Sequence, residues 1–224
     1  MEFVNNDNLF PFELGNVNMD LFLKYEKELE IALKNNERRF WHSISVALTA
    51  VSFAEFYNVD KDECLIAGLL HDYCKNLKYN ELLDECDKHG VILSEEDRMA
   101  DGCIHGFLAA KVCKDKFNIN DSISNAIYYH TCGRPNMTNL EKIIYMADFV
   151  EPLRRFRDKV SNIRNLCYTN IDKAVVLATE MNLEFLIKRD KFIHSNTNKT
   201  HDYYKKILEE RGEKLWKIMK NLTN

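Results

Sequence analysis

The side chains best able to do chemistry form an ordered series: His42, the pair His71-Asp72, His105, His130 and Asp148. Neutral imidazole and carboxylate together are the donors that borderline to hard transition metals take. Successive members lie 29, 34, 25 and 18 residues apart. That spacing, roughly one or two helices each time, suits a bundle whose helices project ligands into one core. If the series converges, the protein is a metal-dependent enzyme.

Taken singly, each residue is weak evidence, because a lone histidine on a helix is usually ordinary core or surface and a His-Asp dipeptide is common. The surroundings change the balance. Ile66-Ala67-Gly68-Leu69-Leu70 leads into His71-Asp72, and Asp148 lies between Ile143-Ile144-Tyr145-Met146-Ala147 and Phe149-Val150, so both carboxylates belong to apolar stretches. A buried carboxylate without a partner costs several kcal/mol. Lys75 could balance part of that charge, and a divalent cation could balance all of it. Arg39, Lys75 and Arg154 each stand near a proposed ligand in the sequence. Cations beside metal ligands imply an anion between them, and phosphate suits both the arginine fork and the lysine point charge.

The elements that must position these residues are helical. Apolar residues recur at helical spacing almost throughout from Met19, predicting helices over about 20–35, 38–57 and onward from a cap at Asp60. The third is expected to carry the His-Asp pair. A short helix over 79–88 stops at Gly90, and Ser94 with Asp97 offers a weak capping signal. Helices over 101–117 and 121–131 carry His105 and His130. Thr138 and Glu141 form a capping box for the helix that holds Asp148, and Pro152 closes it. Helices over about 159–168, 171–189 and 199–222 follow, with 192–198 as a polar connector. The expected fold is all-α, one domain over 19–224 with an Asn-rich extension at 1–18.

The whole chain excludes several classes. Seven Gly and three Pro in 224 residues argue against an all-β sandwich, and a net charge of −4 gives no reason to expect nucleic-acid binding. No apolar run reaches membrane-spanning length, and Met1–Asn8 lacks the pattern of a signal peptide. Seven cysteines without a C-x-x-C pair read as reduced thiols in a cytoplasmic protein, chiefly packing material.

Several blocks together resemble a known group. The order H…HD…H…H…D, with Ala67-Gly68-Leu69-Leu70-His71-Asp72-Tyr73-Cys74-Lys75 around the pair, resembles the HD superfamily of metal-dependent phosphohydrolases. Arg39-Phe40-Trp41-His42-Ser43, Ala126–Thr131, Met137 with Leu140–Ile143, Ala147–Pro152, and Ile193-His194 with Thr197 are similar to the YqeK family within it. One departure is Ser195, where that family usually has proline. The resemblance implies an HD-domain helical bundle acting as a symmetrical bis(5′-nucleosyl)-tetraphosphatase, which splits diadenosine tetraphosphate into two ADP.

It further implies His42, His71, Asp72 and Asp148 as ligands of a metal, in that family iron. Manganese, cobalt and zinc suit the same donors. His105 and His130 either hold a second metal, with Asp72 bridging, or contact phosphate. Asp72, Lys75, His105 and His130 are the implied catalytic groups, either imidazole serving as proton donor to the departing phosphate. The substrate is expected against Arg39, His42, Asp72, Lys75, His105, His130, Thr131, Asp148, Arg154, Ile193, His194 and Thr197, with the 191–197 loop near the nucleoside. A homodimer is implied as well. Competing readings are another HD phosphohydrolase acting on nucleotides, an HD-fold di-iron oxygenase, and a non-catalytic HD signalling domain.

Overall fold

Local capping sets most of the helix starts. In the computed structural model, which describes residues 17–153 and 157–213, Asn18 caps α1 (Met19–Ala32) by accepting from the Leu21 N–H. Asn36 caps α2 (Glu37–Ala54), which runs into a 3-10 turn, and Asp60 caps α3 (Lys61–Leu70) by accepting from two backbone N–H groups. α4 (Tyr79–Lys88) is followed by α5 (Glu95–Met99), whose Ser94–Asp97 capping box is fully formed. α6 (Asp101–Phe117) and α7 (Asp121–Tyr129) precede α8 (Asn139–Val150), which opens on the expected Thr138–Glu141 box. α9 (Arg157–Cys167), α10 (Ile171–Lys188) and α11 (Ser195–Glu210) complete the order. The fold is all-α, with no strand among the described residues. Residues 1–16, which make up most of the expected extension, Arg154 and the expected helical tail over 214–222 lie outside the described residues.

α2 and α3 lie against each other, α8 packs on both, and α7 packs on α3 and α8. α6 backs α7, α10 joins α8 to α11, and α1 covers α3. One apolar core runs through these contacts, from Phe22 and Leu29 through Phe53, Leu65 and Ile127 to Leu208. α2 is buried almost all round from His42 to Ala54, not only along the face of Ile44, Ala47, Leu48 and Val51. Its polar residues fit because they are small, and Thr49 Oγ1 donates to the Ser45 carbonyl at 2.7 Å.

Three expected boundaries shift, and all three shifts reach candidate site residues. α3 ends at Leu70, so His71-Asp72 sits in the turn after the helix and not on it. α7 ends at Tyr129, leaving His130 as its C-cap. α11 begins at Ser195, four residues before its expected start, with His194 as N-cap. In the first two, an unbroken apolar or aromatic run hides the stop, since neither Gly nor Pro marks it.

The close approach of α2 and α3 is what brings His42 towards His71-Asp72, and Gly68 permits it. A Cβ at Gly68 would lie 2.4 Å from Ala47 Cα and 2.9 Å from its nitrogen, backbone atoms that cannot swing aside. At Gly102, by contrast, an added Cβ meets nothing within 4 Å. Urea denaturation should therefore show Gly68→Ala losing about 2 kcal/mol through overpacking. Gly102→Ala should gain about 0.5 kcal/mol from the smaller entropy of its unfolded chain. A gain at both positions would contradict this account of the α2–α3 contact.

Candidate active site

The series converges on one buried carboxylate. Asp72, 2% exposed, turns its two oxygens to different groups of partners. Oδ2 lies 3.3 Å from His71 Nε2, 3.7 Å from His42 Nε2 and 2.6 Å from Arg39 Nη1. Oδ1 lies 2.9 Å from His105 Nε2 and 3.8 Å from His130 Nε2. Asp148 reaches in from α8, its Oδ1 3.0 Å from His42 Nε2 and 3.9 Å from His71 Nε2. His42, His71 and Asp72 present donor atoms all within 4.8 Å of one another, and so do Asp72, His105 and His130. Five chain segments thus meet at one point.

Three of the imidazoles are oriented by their own Nδ1. His71 Nδ1 is 2.7 Å from the Gly68 carbonyl, and His130 Nδ1 is 2.6 Å from the Ile127 carbonyl. Both acceptors lie three residues back, among the carbonyls that a helix leaves unbonded at its C-terminus. His42 Nδ1 is 3.1 Å from Glu151 Oε1. An Nδ1–H donated to each of these acceptors leaves the Nε2 lone pair aimed at Asp72 and Asp148. His42 Nε2 and His71 Nε2 are buried and have no hydrogen-bond partner. Imidazoles held through one nitrogen with the other left open are the usual arrangement of metal-ligating histidine. The donor set fits a divalent metal.

His105 differs. Lys75 Nζ lies within 3.2 Å of both its ring nitrogens, so its Nε2 is engaged with Asp72 inside the cluster.

Charge supports the same reading. Asp72, Asp148 and Glu151 bring three carboxylates to the site, against the cations of Arg39 and Lys75. Burial raises the Asp72 carboxyl, but His71, His105 and Lys75 outweigh it and hold that group well below the usual carboxylate range. Burial lowers His42, yet Asp148, Glu151 and Asp72 pull it above its ordinary value. Burial and then the neighbouring His71 and His105 push His130 down to about 3, while burial and then Lys75 lower His105. Both are therefore neutral imidazoles at pH 7. A neutral ring suits a metal or a hydrogen bond.

Comparison with known proteins agrees with this geometry. The HD domain family matches residues 39–153. The symmetrical bis(5′-nucleosyl)-tetraphosphatase of Staphylococcus aureus is 34% identical over 174 residues, covering 75% of this chain and 87% of that protein. The Bacillus subtilis protein of the same description is 31% identical over 168 residues, covering 75% of this chain and 89% of its own. A crystal structure described as a predicted HD superfamily hydrolase involved in NAD metabolism, from Clostridium acetobutylicum, superposes with a TM-score of 0.76. It is 34% identical and covers 85% of this chain and 98% of its own. The chain belongs to the HD family.

Beside the HD cluster opens a cavity of about 650 Å³. Lys75, His130, Thr131 and Asp148 line its inner end, and Tyr145, Phe149, Phe185 and Phe192 give it aromatic walls. Thr131 Oγ1 is buried there without a hydrogen-bond partner. His194 and Thr197 also reach the cavity, whereas the half-buried Ile193 is not among its lining residues and Phe192 takes that place. Arg39 lines no part of it, being engaged with Asp72.

The connector that carries His194 is anchored to α5. His194 Nδ1 accepts from the Asn196 N–H, so Nε2 is the donor to Asp97 Oδ1 at 2.9 Å. Both ring nitrogens are thereby used within the protein. Ser195, standing where the family usually has proline, donates its N–H to Glu96 Oε1 at 2.6 Å and its hydroxyl to Glu96 Oε2 at 3.0 Å. Proline fits that first helical position because no helical bond needs its N–H. Here the N–H is used instead to tie α11 to α5.

The sequence reading gave no site role to Glu151, Glu96, Asp97 or the aromatic walls. Only Glu151 carried a signal: an acid at the end of an apolar helix, directly before Pro152. It is 1% exposed and bonds both His42 and the Leu153 N–H. Because Glu151 orients His42 from behind, Glu151→Ala should lower affinity for a divalent transition metal by about 10–100-fold in competition titrations, with helical content retained. Unchanged affinity would contradict the orienting role.

Proposed function

We propose that this protein hydrolyses dinucleoside tetraphosphates symmetrically, converting diadenosine tetraphosphate and water into two ADP. The observation that carries the reading is Asp72, set between two groups of imidazoles beside an aromatic-walled cavity of about 650 Å³ that His130 and Asp148 of the same cluster line. That volume lies in the range that encloses a small organic ligand. The names of the curated relatives, symmetrical bis(5′-nucleosyl)-tetraphosphatases, supply the substrate class.

His42, His71, Asp72 and Asp148 would hold the first metal, and His130 with Asp72 would share a second. His105 either joins the second metal or contacts phosphate. The nitrogen and oxygen donors support iron, with manganese, cobalt and zinc competing for the same site. When bound, the metal supplies Lewis acidity, polarising a phosphoryl oxygen and lowering the pKa of water at neutral pH.

The chain's own groups do the rest. His71, His130 and His42 keep their orientation through the Gly68, Ile127 and Glu151 oxygens, so little reorganisation is needed at reaction. Lys75 places an ammonium at the cavity mouth of the cluster and balances charge on the polyphosphate. Arg39 holds Asp72 and adds positive charge from behind. Arg154, near Asp148 in sequence, is the further cation proposed for phosphate. Tyr145, Phe149 and Phe192 cover the nucleoside, with Thr131, His194 and Thr197 at its edge. ADP is a good leaving group, so positioning and charge stabilisation dominate over proton donation.

No described helix is long and apolar enough to cross a membrane. All seven cysteines are unpaired, which supports a reducing cytoplasm as the compartment. Homodimer formation rests on the family resemblance, with exposed Leu23 and Ile31 on α1 available as apolar surface. The net charge of −4 supports a nucleotide rather than a nucleic acid as partner.

Chromatography of products from the metal-loaded protein should show ADP as the sole nucleotide formed from diadenosine tetraphosphate. ATP with AMP, or no turnover by loaded protein, would refute the reading. Asp72→Ala should remove bound metal and turnover together, and full activity in that variant would overturn the site.

A further inference from the structure

On the tetraphosphatase reading, the larger cavity takes one nucleoside of the substrate. Symmetrical cleavage leaves an equal length of phosphate chain and one nucleoside on each side of the broken bond. A centre that cuts at the middle must therefore open in two directions. A second cleft, about 190 Å³, is lined by Lys75, Leu77, Tyr79, Leu82, Asp101 and His105. Lys75 and Asp101 line both spaces. The larger cavity meets the cluster at His130 and Asp148, the smaller at His105, and the Nε2 atoms of His105 and His130 are 3.2 Å apart. The cluster stands at the junction of the two, with the Lys75 ammonium beside it.

We propose that the Tyr79 cleft is a second nucleoside subsite, receiving the other nucleoside diphosphate half of the substrate with its base laid on the Tyr79 ring. The proposal deepens the tetraphosphatase reading and rests on it. Tyr79 is 42% exposed, yet its hydroxyl donates to the Arg98 carbonyl at 3.1 Å, which holds the ring in place at the rim. Leu77 and Leu82 supply apolar surface below it. Asp101 offers acceptors to ribose hydroxyls, and Lys191 Nζ, 3.3 Å away, offsets its charge. A phosphate chain crossing from one space to the other passes Lys75, the cation common to both. At about 190 Å³ the cleft encloses only part of this half. Stacking on one exposed ring holds it less firmly than the aromatic walls hold the first, so this half departs first.

The test compares kcat/KM for diadenosine tetraphosphate with that for adenosine 5′-tetraphosphate, which lacks the second nucleoside, using the full metal-loaded chain. Wild type should prefer the dinucleotide. Tyr79→Ala should shrink that preference about tenfold through KM, the scale of one lost base–aromatic stack. Tyr79→Phe keeps the ring and should retain the preference. A preference unchanged in Tyr79→Ala overturns the subsite while leaving the tetraphosphatase reading intact. Failure of wild type to cleave the dinucleotide symmetrically overturns that reading and the subsite with it.

Discussion

The burial of Asp72 is the constraint on which the site depends. A carboxylate 2% exposed to solvent has lost its hydration, and in the protein interior it persists only with cations and donors around it. Arg39 supplies one full charge to Oδ2, and His105 Nε2 lies 2.9 Å from Oδ1. Those partners still leave Asp148 and Glu151 close by, with His42 Nε2 and His71 Nε2 turned inward and unbonded. Among the described residues the two inward Nε2 lone pairs therefore go unmet. A divalent cation meets both at once, and its added charge turns the cluster positive towards an anionic substrate.

Helix ends carry half of the cluster, and helix faces the other half. His71 and His130 each follow the last turn of a helix, where the carbonyls three residues back have lost their intrahelical donors. Each ring donates to one such carbonyl, and the same bond fixes which nitrogen faces the metal site. One hydrogen bond thus caps a helix and sets a tautomer. Gly106 extends the economy: a Cβ there would lie 2.9 Å from His130 Cε1, so glycine lets α6 pack against the ring. Glu151, just past α8, does for His42 what the carbonyls do for the other two.

Much of this was readable in the sequence, because local rules produced it. The caps at Asp60 and at Thr138 with Glu141 lie where side-chain oxygens stand ahead of apolar runs. The convergence of His42, His71-Asp72, His105, His130 and Asp148 followed from ligand chemistry and spacing. What escaped depends on neighbours distant in sequence. Gly68 reads as an ordinary helical glycine until Ala47 is seen against it. Asp97 reads only as the partner of Ser94 in a weak capping signal, and only the fold brings His194 to it and Ser195 to Glu96. The ends of α3 and α7 escaped for a different reason, since apolar periodicity continues past the last helical residue.

The anchoring of the connector bears on how the cavity works. Phe192, His194 and Thr197 wall the larger cavity, and their segment joins α10 to α11. It is held to α5 chiefly by polar bonds, His194 to Asp97 and Ser195 to Glu96, with Lys191 paired to Asp101 on α6. Polar bonds near the surface are individually modest, while a buried apolar contact would have to be broken whole. These bonds are separate from those of the Asp72 cluster, whose own ties run to α2, α6, α8 and the turns that follow α3 and α7. Buried contacts from several segments thus hold the donor atoms in their geometry, while polar bonds to α5 hold the cavity wall.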